Sequence, residues 1–418
     1  MFNDALDILF LGSLFPKERE REILNDSITG IQNASNVLQQ GLVSGLDANC
    51  SGQVHIINSL HIGSYPKHYK KAIVKTYRFA QTSSGDDINV GFINLKGIKH
   101  YSRYMALKPH VRKWALKKTG KKKAMIAYAA SATFTKLLLF AKHLNPDIIT
   151  CLVVADLPEY MSSSQGRSIL FKLFVDSENR RIARDIKHID RFVLVTEQMK
   201  DAMQISVPYT VVEGIATDVF ESVEDVVTDG IKTILYTGSL TEKYGIIDLV
   251  KAFEHLAGDN YRLIICGEGE TEEYIRQACV SNPRIIFKGL MRRNEVLELQ
   301  KSATILINPR PNNEGFTKYS FPSKIMEYMS SGTPVISYKL DGIPQEYFQY
   351  MFTIDDEKSG DGFENAIYRK LMDVFAKPSE ELSEMGKHAR AFVLKEKNDV
   401  SQSKKIVSLL FETNAKHT

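Results

Sequence analysis

At 418 residues the chain exceeds what one hydrophobic core usually organises, so two domains are expected. Its 43% hydrophobic and 25% charged residues exclude a disordered chain, and a net charge of +4 gives no global case for nucleic acid. The four cysteines, Cys50, Cys151, Cys266 and Cys279, form no C-x-x-C pair and have no histidine at metal-ligand spacing. They point to a reducing compartment, with Cys151 and Cys266 as small core residues.

The first half opens with Leu6-Asp-Ile-Leu-Phe-Leu-Gly12, an apolar run that predicts a buried strand ending in a turn. Ile28, Ile31, Ala34, Leu38 and Leu42 predict a helix over Asp26 to Leu42. Strands are expected at Val54 to Ile57, Val90 to Asn94, Ile148 to Ala155, Phe192 to Thr196 and Tyr209 to Val212. Ala124 to Ala141 is weakly polar but too short and too polar for a membrane span. No charged leader precedes an apolar core at the amino terminus, so no signal peptide is expected and the expected location is cytoplasmic.

The second half repeats the pattern. Strands are predicted at Lys232 to Gly238, Tyr261 to Gly267, Arg284 to Gly289, Thr304 to Asn308 and Thr333 to Ser337. Helices alternate with them at Ile246 to Leu256, Thr271 to Val280, Glu295 to Ser302 and Ser323 to Ser330. Such alternation predicts α/β architecture, two Rossmann-like halves with parallel sheets covered by helices. Ile8-Leu-Phe-Leu-Gly-Ser-Leu14 echoes Ile234-Leu-Tyr-Thr-Gly-Ser-Leu240, as two first strands or as two generic ones. The expected division is 1–213, 214–390 and a carboxy-terminal helical stretch, 391–418, that crosses back to the first half.

Ligands of open parallel sheets bind beyond the carboxyl ends of the strands, where turn glycines and helix amino ends expose amides to phosphate. The second half offers Gly238-Ser239, Gly267-Glu268-Gly269 and Lys288-Gly289. Lys243 reads either as a cation for phosphate or as a solvated loop lysine. Pro322 and Ser323 suit the start of a helix, with Lys324 beside it and Glu327 one turn on. Glu327 reads as a ribose ligand or as an ordinary surface glutamate. Asp156, at the end of the strand ending in Ala155, reads as a helix cap or turn residue before Pro158. No P-loop, no H-E-x-x-H and no G-x-G-x-x-G after the first strand is present.

At Gly238-Ser-Leu-Thr-Glu-Lys243-Tyr-Gly245, Cys266-Gly-Glu-Gly269, Phe287-Lys-Gly289 and the run from Tyr319 to Ile336, the sequence resembles family-4 retaining glycosyltransferases of the GT-B fold. The last motif is similar to the branch that makes exopolysaccharide, capsule or O-antigen units. The resemblance implies a nucleoside diphosphate sugar donor, uridine favoured, and a saccharide or lipid-linked acceptor. It places Glu327 on the ribose, Lys243 on the phosphates, Phe287 to Leu290 along the base, and Gly267-Glu268 beside the nucleotide. Phe321, Ser323 and Lys324 join the donor set, Gly12 and Ser13 approach from the first half, and the resemblance implies that Asp156 or Glu159 faces the cleft and touches the acceptor or the transferred sugar. Two departures stand out. Tyr319 occupies the position of the family's first acid, with Glu314 five residues too early, and Ser239 stands where an arginine is usual. The implied chemistry needs no metal and no cofactor. Alternatives in the same fold are a sugar-nucleotide epimerase and a non-catalytic partner.

Lys108 to Lys123 gathers basic residues around Trp114, the single tryptophan. It reads either as a membrane-surface element at the inner face of the plasma membrane or as a solvated helix with Trp114 packed inward. It carries no stacking motif for nucleic acid.

Overall fold

The computed structural model describes residues 6–28, 33–157, 169–218, 220, 230–313, 315–355 and 362–411. The chain divides into two compact units, residues 1–215 with 398–418 and residues 216–397.

Unit 1 runs β1 (Leu6–Gly12), α1 (Glu20–Asp26), α2 (Asn33–Asn49), β2 (Val54–Asn58), β3 (Ile73–Val74), β4 (Tyr77–Phe79), β5 (Asp87–Asn89) and β6 (Phe92–Ile93). It continues through α3 (Lys99–Leu116), β7 (Lys122–Tyr128), α4 (Ala132–Leu144), β8 (Ile149–Val154), α5 (Ile169–Asp185), β9 (Arg191–Leu194), α6 (Met199–Ala202) and β10 (Tyr209–Val211). Its main sheet has the order β10-β9-β8-β7-β1-β2-β5-β4, parallel except for β4. Ile8 of β1 aligns with Val54 of β2 on one side and Ala124 of β7 on the other. All seven β1 residues are buried, which is why the strand reads as an apolar run from Ile8 to Leu11 rather than an alternating one, with the buried Asp7 paired to Trp114 and Lys123. Chain order reverses between β1 and β7, so the switch point lies at Gly12-Ser13 and at Ala129 beyond β7. Ala129 has a φ of 78°, a strained value for a residue with a Cβ.

Two expectations shift in this unit, and one stretch left without a structural assignment gains one. The helix predicted from Asp26 begins at Asn33 and runs to Asn49. The run Val90 to Asn94 is broken at Gly91, whose amide bonds the Thr76 hydroxyl and whose missing Cβ would lie 2.3 Å from the Val74 carbonyl oxygen. The weakly polar stretch from Ala124 divides into the buried strand β7 and helix α4, which is N-capped by Ser131.

Unit 2 runs β11 (Lys232–Thr237), α7 (Ile246–Glu254), β12 (Tyr261–Cys266), α8 (Glu272–Ser281), β13 (Ile285–Gly289), α9 (Arg293–Ser302) and β14 (Ile305–Asn308). α10 (Ser323–Ser331), β15 (Val335–Tyr338), β16 (Phe352–Ile354), α11 (Phe363–Phe375) and α12 (Ser379–Glu396) complete it. Its sheet is wholly parallel in the order β13-β12-β11-β14-β15-β16, a Rossmann order whose switch point lies between β11 and β14. α7 buries Ile246, Leu249, Val250 and Phe253, the i, i+3, i+4, i+7 stripe that faces a sheet. β1 and β11, the two strands that echo each other in sequence, are the first strands of their units.

The last helix, α13 (Asp399–Phe411), packs on α2 in unit 1. Residues 391–396 continue α12, which packs on α10, so the return to unit 1 starts at Asn398 rather than at 391. The approach of α13 to α2 is close. A Cβ on Gly45 would lie 1.9 Å from the Asp399 carbonyl oxygen, and Ser44 donates to the Asp399 carboxylate at 2.6 Å.

Candidate functional site

The carboxyl edge of the unit 2 sheet gathers the residues singled out in the second half. β11 ends in Gly238 and β12 in Gly267, with φ values of 137° and 142°. The two turns pack backbone on backbone. A Cβ on Gly267 would lie 1.8 Å from the Gly238 carbonyl oxygen, so only glycine serves there. Ser239 and Glu268 are exposed on these turns, and the Glu268 carbonyl accepts the Leu240 amide at 2.9 Å. Two tyrosines fix the first turn. Tyr236 donates to the Ser239 carbonyl at 2.7 Å, and the Tyr328 oxygen accepts the Thr237 amide at 2.8 Å. Burial holds both phenols well above their ordinary pKa, so they stay neutral donors.

The Tyr328 bond also ties α10 to the end of β11. α10 starts after Pro322, whose own side chain caps none of the first-turn amides. Lys324 lies in that turn. Its ammonium sits 4.0 Å from the Tyr236 ring centre, and a Cβ on Gly238 would lie 2.9 Å from it. Burial pulls Lys324 down to about 7, the Arg310 cation pushes the same way, and Glu327 opposes both.

Arg310 is the residue that sequence reasoning missed. It stands two residues beyond β14, on the far side of the switch point, and is 5% exposed. Its guanidinium lies 4.5 Å from the Phe316 ring centre and 5.5 Å from that of Tyr244. The exposed Lys243 ammonium shares both rings, at 5.1 and 5.5 Å. The structure therefore brings Lys243, Arg310 and Lys324 together at the reversal of strand order. The available signal was a cation immediately after a predicted strand, in Asn308-Pro-Arg-Pro311.

Glu327 is partly exposed one turn along α10. Gln300 of α9 donates to its Oε1 at 2.7 Å, and Arg293 lies 3.9 Å from its Oε2. Tyr319 is half-buried in a short 3-10 turn, with the Lys318 ammonium 4.9 Å from its ring centre. Phe287 is half-buried under the Arg276 guanidinium, 4.8 Å from its ring centre, and Leu290 is exposed. Ser323 is exposed. Phe321 packs in the core, its ring centre 5.4 Å from that of Tyr347, so its side chain serves packing. Glu314 and Glu159 lie outside the described residues.

In unit 1, Gly12 and Ser13 end β1 as expected, but both are buried. The Ser13 amide already donates to Gln39 of α2 at 2.7 Å, which removes it as a phosphate donor. Asp156 follows β8, and desolvation raises its carboxyl above the usual range. Trp114 is 7% exposed and donates to Asp7 at 2.8 Å, under the Lys123 ammonium, so it is packed inward and anchors nothing at the surface. A cavity of about 540 Å³ opens beside it, lined by His55, Arg78, His110, Lys113, Lys117 and Lys121 among others. Cys151 and Cys266 are core residues. Among the described residues no group of three or more His, Cys, Asp and Glu is placed to hold a metal ion. Among them, too, no helix is long and apolar enough to cross a membrane.

Residues 231–373 match a family model described as "Glycosyl transferases group 1", a segment that lies within unit 2. No curated protein matches the chain in sequence. Solved structures match nearly its whole length. A sucrose-phosphate synthase from Thermosynechococcus elongatus is 15% identical at a TM-score of 0.62, covering 96% of this chain and 98% of that one. The lipopolysaccharide outer core galactosyltransferase WaaB is 16% identical at 0.58, covering 97% and 99%. Anabaena HepE, solved in complex with UDP, is 12% identical at 0.58, covering 97% and 99%. Residues 231–373 thus match the group 1 glycosyltransferase model, and the chain as a whole shares the fold of GT-B glycosyltransferase structures.

Proposed function

We propose that the protein transfers a sugar from a nucleoside diphosphate sugar to a saccharide or lipid-linked acceptor, with retention and without a metal ion. The observation that carries this reading is the convergence of Lys243, Arg310 and Lys324 with the start of α10 at the unit 2 switch point. A departing nucleoside diphosphate needs that charge, and cations with oriented amides supply it. Arg310 and Lys324 neutralise the diphosphate, with Lys243 at its outer side. Arg310 makes good the cation missing at Ser239. Glu327, held by Gln300 and Arg293, takes the ribose hydroxyls. Gly238, Ser239, Gly267 and Glu268 border the nucleotide, Phe287 and Leu290 the base, and Tyr319 the sugar. Unit 1 binds the acceptor, with Asp156 facing it or the transferred sugar.

A uridine donor is favoured by the UDP complex of the Anabaena protein, and a role in surface polysaccharide by the likeness to a lipopolysaccharide galactosyltransferase. With Trp114 buried, contact of Lys108 to Lys123 with the inner face of the plasma membrane is purely electrostatic, about 1 kcal/mol per basic residue at most.

The test is a panel of nucleoside diphosphate sugars, first for thermal stabilisation and then for transfer, in EDTA, with the product's anomeric configuration read by NMR. Stabilisation by a UDP-sugar and a retained linkage are expected. Inversion, or a strict need for metal, removes the mechanism; no stabilisation by any nucleotide removes the donor site. Tyr319 in place of an acid favours a second reading, a nucleotide-binding partner without turnover. Binding across the panel with no transfer selects it.

A further inference from the structure

The carboxyl edge of the unit 1 sheet carries a basic cluster that the donor reading does not use. Past β2, the Ser59 amide bonds the Gly12 carbonyl at 3.0 Å, and the His61 amide bonds the Ser13 carbonyl at 3.2 Å. This places His61 directly beside the end of β1. Arg103 of α3 reaches the same strand end. It donates from Nε to the Ser59 hydroxyl at 3.0 Å and from Nη2 to the Ser59 carbonyl at 2.7 Å. Arg103 is 8% exposed, and its guanidinium lies 5.4 Å from the Phe92 ring centre and 5.7 Å from that of Phe134. Phe134 belongs to the first turn of α4, directly beyond β7. Lys99, one turn before Arg103, donates to the Ile62 carbonyl, and His100 adjoins it. The cluster therefore spans the ends of β1, β2 and β7, the switch point of this sheet.

Its electrostatics are unfavourable without an anion. Among the described residues the neighbours that lower His61 are basic ones, Arg103, Lys99 and His100. Burial and these neighbours bring His61 and His100 down to about 4 and Lys99 to about 8. Lys99 and His100 also occupy the first turn of α3, which holds no acidic residue, and the helix dipole disfavours cations there. Lys99 at the wrong end of a helix and a guanidinium fixed by two rings and a strand end are like charges, and the neutral imidazoles of His61 and His100 beside them can donate N–H or take up a proton, so the cluster favours a bound anion.

We propose that this edge of unit 1 binds a phosphate group of the acceptor, held by His61, Lys99, His100 and Arg103. The proposal rests on the glycosyltransferase reading for the word acceptor alone. The acceptor is then a phosphorylated sugar or a lipid phosphate, and a neutral saccharide of the same size binds more weakly.

The experiment is calorimetry on the full chain saturated with UDP. The probes are glucose 6-phosphate, glucose, and farnesyl phosphate in detergent micelles. Binding of a phosphomonoester at one per chain is expected, with glucose at least tenfold weaker. The same affinity is expected to drop at least tenfold in His61→Ala and in Lys99→Ala/His100→Ala, with UDP affinity unchanged. His61 lies in the loop beyond β2, outside any helix or strand, so its variant keeps the test open should the double variant fail to fold. A response to farnesyl phosphate alone assigns the site to a lipid phosphate, and a response to glucose 6-phosphate alone to a soluble one. Equal affinity for glucose and its phosphate, or unchanged phosphomonoester affinity in both variants, overturns the proposal. So does a loss of UDP affinity in the variants, which would give the cluster to the donor. Absence of UDP binding with phosphomonoester binding intact sinks the donor reading and leaves the anion site standing.

Discussion

Lys324 and Glu327 share one helix turn and answer to different forces. Lys324 is half-buried beside Arg310, and its ammonium titrates near 7 when nothing is bound. A diphosphate would restore the charged form. Nucleotide binding at pH 8 is therefore expected to take up close to one proton, and the uptake to vanish below about pH 6, where Lys324 is already charged. Calorimetry of UDP binding in buffers of different ionisation enthalpy reads this directly; no buffer dependence at pH 8 removes Lys324 from the phosphate. The groups facing it are Arg310, Glu327 and the neutral Tyr236. In the free protein the sign is reversed. The folded-state value lies below the unfolded one of about 10.5, so Lys324 opposes folding most below pH 7. That opposition fades as pH rises through the interval between the two values. Glu327→Ala is expected to weaken UDP binding roughly tenfold, the cost of a charged hydrogen bond pair of about 1.5 kcal/mol or more. It also leaves the buried Gln300 amide without its acceptor, so a modest fall in Tm accompanies it. Arg310→Ala should match or exceed the loss in UDP affinity, because Arg310 is 5% exposed at the switch point and its charge acts on Lys324. Unchanged affinity in that variant returns Arg310 to a packing role.

Among elements, the two glycine turns behave as one. Gly267→Ala would drive a methyl group into the Gly238 carbonyl and hold an alanine at a φ of 142°. A loss of about 3 kcal/mol or more is expected from backbone strain and displacement. Nucleotide binding should fail with it, since both turns must move. Tyr328→Phe is milder. It frees the Thr237 amide at the end of β11 and is expected to cost about 1 kcal/mol, read as a fall in the unfolding midpoint without a change in m-value. The sequence marked each of these glycines as a turn, because glycine after an apolar run is a local signal. The contact of one turn with the other was not legible, since the residues concerned are 29 apart and nothing local couples Gly238 to Gly267.

Across the molecule, the chain leaves unit 1 at Ile215 and re-enters it at Asn398. α13 buries Ile406, Val407, Leu409 and Leu410 at 0–2% exposure. At about 2 kcal/mol for each such side chain, removing residues 398–418 forfeits roughly 8 kcal/mol from unit 1, comparable to the whole stability of a typical domain. Truncation after Lys397 is therefore expected to unfold unit 1 and leave unit 2 with its own thermal transition, read by calorimetry and by protection of α7 and β11 in hydrogen exchange. A single, little-shifted transition would show that α13 contributes packing of no consequence. The sequence by itself determined the alternation of strands and helices, the glycine turns and the placement of Lys243, Lys324 and Glu327 near a strand end. Those follow from apolar runs, periodicity and caps, which act within a few residues. Only the tertiary structure decided that β14 lies beside β11, and with it that Arg310 joins the site. It likewise decided that Ser13 is spent on Gln39, that Trp114 is packed inward and that α13 belongs to unit 1. The reason is that strand order and helix docking are set by which buried faces fit across long stretches of chain, and no local pattern records that choice.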